Sequence, residues 1–179
     1  GLGSHTITLR TLLHEEVANL DADYLDATER YLRLYERWIG PYPYGSFSIV
    51  SSPTPTGFGM PTLTYLGIDV LRLPFIRDTS LGHEVLHNWW GNGVYPDYAT
   101  GNWSEGLTTF MADHAYREQA GPEAARELRL GWLRDLAALG KLPHFGRHHR
   151  KAATMLAGTR GFDGGVEGQQ VGLVGDVVH

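Results

Sequence analysis

Cysteine is absent from all 179 residues. Disulfide staples and thiolate metal sites are therefore excluded, and any metal must be held by imidazole or oxygen donors. Long apolar runs are also missing. Nothing approaches the roughly 20 residues that cross a bilayer as a helix, so no membrane span is expected. Basic charge is scarce: 15 Lys and Arg stand against 20 Asp and Glu, for a formal net charge of −5. A nucleic-acid binder would carry a basic face, so no nucleic-acid partner is expected. The one basic run, Arg147 to Lys151, reads as a solvated surface patch. The first residues, GLGSHTITLR, carry no initiating Met and no charged-then-apolar signal pattern, and flanking domains of a longer protein are expected. None of this fixes a compartment.

What is present suits a globular domain. Hydrophobic residues make up 42% and charged residues 20%, and the length is enough for one domain with a core. Thr6 to Leu13 alternates and reads as a strand. Asp21 to Ile39 has apolar residues at three- and four-residue steps and reads as a helix, stopped by Gly40-Pro41. Ser46 to Ser51 reads as a second strand, and Leu63 to Leu73 as one or two more, broken near Gly67. A helix is expected from an N-cap at Asp78 or Thr79 to Trp90, with Gly91 as its stop. Further helices are expected from Ser104 to Gln119 and from Pro122 to Gly140. Strands first and helices after imply an α+β fold with a small mixed sheet. The tail from Gly158 holds seven glycines and little apolar content, so the folded domain is placed at 1–145 and a poorly ordered or truncated tail at 146–179.

The chemistry centres on His83-Glu84-Val85-Leu86-His87. Two His at i and i+4 lie about 40° apart on one helix face, so both imidazoles can reach one ion. Glu84 sits about 100° round from His83 and can reach a water on that ion without being a ligand. Gly82, Val85, Leu86 and Trp89 form a separate apolar side that suits burial against a sheet. Seventeen residues, 88–104, separate His87 from Glu105, enough for a loop and a return, so Glu105 at the head of the next expected helix is placed as a third ligand. Two neutral imidazoles and one carboxylate suit one Zn2+ per chain and leave a fourth position for water, the pattern of a catalytic site. Glu84 is then the general base. Thr109 and Asp113 follow Glu105 by one and about two turns and are the candidates to orient a ligand.

These residues carry a resemblance. HEVLHNWWGN followed by NWSEGL is similar to the gluzincin metallopeptidases of the aminopeptidase N and leukotriene hydrolase type. Trp89, Trp90, Gly91, Asn92, Glu105 and Gly106 match that family's motif. Pro41-Tyr42-Pro43 resembles its PYP segment. Gly57-Phe58-Gly59-Met60 falls where it carries a G-x-M-E-N substrate strand, so these four are expected to bind substrate, with Phe58 and Met60 as an apolar wall. The resemblance covers roughly Thr6 to Ala120. It implies a thermolysin-like catalytic domain, zinc between two helices, and peptide substrates.

There are three departures. The family usually has eighteen residues between the second His and the Glu, against seventeen here. The acidic residue of G-x-M-E-N, which helps hold a substrate's free amine, is replaced by Pro61. The family's oxyanion-donating Tyr, several dozen residues beyond the third ligand, has no counterpart, because the last Tyr is Tyr116. His144, His148 and His149 are the substitutes in reach of sequence alone. Two alternatives to a working peptidase follow: a module that keeps zinc but is catalytically impaired, and a zinc hydrolase of a non-peptide bond.

Overall fold

The computed structural model describes residues 6–55, 57–97, 99 and 102–139. The expected tail at 146–179, the last residues of the expected catalytic domain and the histidines at 144, 148 and 149 lie outside them.

In chain order the elements are β1 (Thr8–Leu12), α1 (Asp21–Trp38), β2 (Ser46–Ser52), β3 (Gly57–Met60), β4 (Leu63–Gly67), α2 (Ile68–Leu71), α3 (Ser80–Leu86), α4 (Trp103–Thr108), a π-helical segment (Thr109–His114), α5 (Ala115–Gln119) and α6 (Pro122–Leu139). Short 3-10 stretches at Glu15–Leu20 and Pro74–Asp78 link them. Helix α1 crosses from β1 to β2 and the remaining helices follow β4, so the expected small mixed sheet and helices are present, though the strands do not all come first. The sheet is mixed: its order is β1-β2-β4-β3, with β1, β2 and β4 parallel and β3 antiparallel at the edge.

Strand alternation divides the sheet into two faces. The register lines up Thr11, Ile49, Thr64 and Gly59 in one row across all four strands. Phe47, Ile49, Ser51, Thr64 and Leu66 are buried, so this is the core face. Phe58 and Met60 belong to the opposite face and are 44% and 43% exposed.

Helix α1 buries Tyr24, Ala27, Thr28, Leu32 and Tyr35, the three- and four-residue spacing of a single stripe. Its C-terminus closes at Gly40, whose φ of 133° suits only glycine and whose N–H reaches the Glu36 carbonyl at 3.1 Å. Helix α3 is buried at every position from Ser80 to Leu86. Its apolar side does not rest on a sheet alone, as expected from sequence. Gly82 packs against α1: a Cβ there would lie 2.6 Å from the Tyr31 ring, and the Tyr35 hydroxyl donates to the Gly82 carbonyl at 3.1 Å.

Three further expectations are corrected. Residues 68–71 turn into α2 instead of continuing a strand. A short apolar run does not distinguish the two, and Ile68 and Leu71 bury themselves at helical spacing. Thr79 occupies the N-cap position of α3, but its hydroxyl donates back to the Phe75 carbonyl at 2.7 Å, so no side-chain cap forms; at the other end α3 stops at Leu86, where the Asn88 and Trp89 N–H groups turn to the Val85 and Leu86 carbonyls. The helix expected from Ser104 to Gln119 is interrupted by the π-helical segment at its centre.

Candidate metal centre

Helix α3 carries His83, and His87 follows one turn on as its C-terminal cap, with their Nε2 atoms 3.1 Å from each other. Glu105, the third residue of α4, reaches across to both. Its Oε1 lies 3.2 Å from His87 Nε2, and its Oε2 lies 3.4 Å from His83 Nε2. Among the described residues these three form a cluster whose ligand atoms all lie within 4.8 Å of one another.

The outward ring nitrogens are also engaged. His87 Nδ1–H donates to the Trp90 carbonyl at 2.9 Å, and His83 Nδ1–H donates to Asp113 Oδ2 at 3.3 Å. Each bond leaves the Nε2 lone pair pointing inward. The Trp90 carbonyl is placed by a tight loop. Gly91, with φ of 113°, donates to the Val94 carbonyl, and the Asn92 N–H folds back to the His87 carbonyl at 3.1 Å. The W-W-G-N run thus holds a ligand's ring as well as packing behind it, a role that motif spacing did not disclose.

Two imidazole lone pairs and a carboxylate converging at 3.1 to 3.4 Å repel one another unless a cation sits between them. A tetrahedral ion with bonds of about 2.0–2.1 Å sets its donors about 3.3 Å apart; the two imidazole nitrogens stand 3.1 Å apart, and each has a different Glu105 oxygen at 3.2 or 3.4 Å. The residues therefore fit zinc. The surrounding charge agrees. Burial would push the His83 imidazolium down, but the charge and hydrogen bond of Asp113, with Glu105 beside it, hold it well above its ordinary value. Burial would raise the Glu105 carboxyl, yet the His83 and His87 imidazoles beside it outweigh burial and hold it below the usual carboxylate range.

Asp113 reaches His83 because of the π-helical segment. Eight residues beyond Glu105, an unbroken α-helix would carry it about 80° round the axis. A π turn holds more residues and rotates less per residue, which brings Asp113 back toward the face of Glu105. Thr109, the other candidate to orient a ligand, does not do so in this structure: its hydroxyl is buried with no hydrogen-bond partner.

Glu84 is buried, and its carboxylate lies against β3. A Cβ added to Gly59 would meet Glu84 Oε2 at 2.5 Å. Burial raises the Glu84 carboxyl, with His83 and His87 acting in the opposite direction. Gly57 and Gly59 face inward on β3, and Gly59 leaves the room that the carboxylate fills. Phe58 and Met60 point to the other face from Glu84, where period-2 alternation puts them. Glycines two apart on an edge strand were the signal for that close approach.

The chain is similar to several known proteins. No protein-family model matches the chain. Aminopeptidase RNPEPL1 of Homo sapiens is 34% identical over 99 residues, covering 53% of this chain and 14% of that protein. Leucine aminopeptidase 2 of Aspergillus clavatus is 26% identical over 147 residues, covering 78% of this chain and 23% of that protein. The solved M1 zinc metallopeptidase of Deinococcus radiodurans superposes with a TM-score of 0.59 at 25% identity, covering 90% of this chain and 36% of that one. The chain thus spans less than a quarter of the length of these two curated relatives.

Proposed function

As a homologue of M1 zinc metallopeptidases and aminopeptidases, this chain carries, we propose, the zinc centre of a peptidase with a thermolysin-like arrangement. The observation that supports this best is the convergence of His83 Nε2, His87 Nε2 and a Glu105 oxygen pair on one cation-sized space. Those three residues would hold the ion. When bound, zinc supplies a Lewis acid and lowers the pKa of a water it holds toward about 7.

The chain's own groups do the rest. Glu84 takes a proton from the attacking water at its carboxylate and passes it to the leaving amine nitrogen. Its buried position beside two imidazoles keeps that proton inside the site. Strand β3 ends the sheet, so its outer edge offers backbone groups along which an extended peptide can lie. Gly59 keeps that strand close to Glu84. Asp113 fixes the His83 ring. Replacing Asp113 with Asn is expected to weaken zinc binding by about 10- to 100-fold. Competition with a chelating dye measures it, and unchanged affinity would remove Asp113 from the support of the site.

The substrate end departs from an aminopeptidase. Pro61, at the turn between β3 and β4, carries neither charge nor N–H where the resembled family has its amine anchor. Cleavage is therefore expected to persist when a peptide's N-terminus is acetylated, and to stop on adding a chelator. Loss of cleavage on acetylation alone would mean that another carboxylate anchors the amine.

A further inference from the structure

We propose that Asn88 is a positioning residue that locks the β3–β4 hairpin in register with the zinc helix, so that Glu84 meets the edge strand at Gly59. The proposal rests on the reading of Glu84 as general base.

Asn88 follows Glu84 by four residues, one helical turn, and the two meet the same hairpin at two points. Glu84 Oε2 lies against Gly59. Asn88 Oδ1 accepts the Thr62 N–H at 2.8 Å, at the hairpin's turn. Asn88 is 1% exposed, and its amide is held from both ends. The Tyr42 hydroxyl donates to Oδ1 at 3.1 Å, and Nδ2 donates to the Val85 carbonyl at 3.1 Å. Its orientation is thus set before it reaches Thr62.

Thr62 needs that hold. Its φ is 68°, and among the described residues it is the non-glycine in the left-handed region. A β-branched side chain there is a rare outlier. The left-handed conformation disfavours such a turn by about 5- to 30-fold in population. Both backbone groups of Thr62 are pinned against this tendency. Asn88 takes the N–H, and the carbonyl accepts the Ser48 N–H at 2.8 Å. A relaxed turn at Thr62 would shift Met60 and Gly59, its neighbours up the strand, relative to Glu84. The strain is therefore held by the same helix whose carboxylate depends on the outcome.

Three variants of the chain test this: Asn88→Ala, Thr62→Gly, and the two combined. Glycine accepts a φ of 68° without strain, so it should make the clamp unnecessary. Asn88→Ala is expected to speed amide hydrogen exchange in β3 and β4 by about ten-fold or more, with α1 unchanged and zinc still bound. The double variant should return that exchange close to the wild-type rate. In the full-length protein kcat should fall with Asn88→Ala and recover in the double variant. Should Asn88→Ala fail to fold, the rescue is read in folding itself, and the double variant folds. Unchanged exchange in Asn88→Ala would overturn the clamp. So would a double variant no better than the single one, since Asn88 would then act through packing alone. A loosened hairpin with unaltered kcat would overturn the positioning role. Full activity in Glu84→Gln, by contrast, would sink the reading of Glu84 and leave the exchange results standing.

Discussion

Glu84→Gln is expected to lower turnover by about two orders of magnitude or more in the full-length protein, with zinc retained. Glutamine keeps the size and the polar contacts of the side chain but cannot take a proton. Glu84 lies outside the cluster formed by His83, His87 and Glu105, so the change should leave the donor set intact. Its carboxylate lies against Gly59 of β3, the edge strand along which we propose an extended peptide binds. Steady-state kinetics beside metal analysis separates the two effects. Near-normal kcat in a zinc-loaded Glu84→Gln protein would remove Glu84 from proton transfer. Loss of zinc would make it part of the metal's support instead.

The 179-residue chain by itself is expected to bind zinc and yet hydrolyse peptides poorly. Attack on an amide builds an oxyanion, and losing one well-placed donor to such a charge costs about two to three orders of magnitude. The sequence has no tyrosine beyond Tyr116. Tyr116 lines a cleft of about 180 Å³ with Arg30, Tyr31, Trp38 and Asp78, none of them a member of the metal cluster. Chelator-sensitive hydrolysis by the purified 179-residue chain, compared with the full-length protein, gives the answer. Robust activity of the short chain would show that an oxyanion donor lies within it, with His144, His148 and His149 the first to replace.

The metal cluster was legible in the sequence because its geometry is local. The i, i+4 pair fixes two donors by helix periodicity, and Glu105 needs only a loop long enough to return. The strands and α1 were legible for the same reason, since alternation and helical spacing each reflect one buried face. What escaped was set by tertiary context. Nothing in residues 109–114 announces a π turn, so the sequence named Asp113 as a candidate beside Thr109 without showing which of the two reaches His83. The helical turn at 68–71, Ile-Asp-Val-Leu, alternates and carries two β-branched residues, so it reads equally well as strand.

The close approach at Gly59 shows the same limit from the other side. A glycine in a strand announces that something comes near, and only the fold shows that the visitor is Glu84. Phe58 and Met60 invited a reading as cleft wall because they are large and apolar. The register of β3 on β4 turned them to the opposite face, a distinction that hangs on a single residue of offset. Asn88 gave no signal of its own, being one polar residue in a helical run. Its partners, Tyr42 and Thr62, lie 46 and 26 positions away in sequence.

The most direct test of the zinc centre is a diffraction measurement on zinc-loaded crystals of the chain at the zinc absorption edge. The anomalous map should hold one strong peak per chain, within about 2.0–2.2 Å of His83 Nε2, His87 Nε2 and a Glu105 carboxylate oxygen. It should vanish in crystals of the Glu105→Ala or His83→Ala protein. A peak elsewhere, or an undiminished peak in either variant, would contradict the assignment.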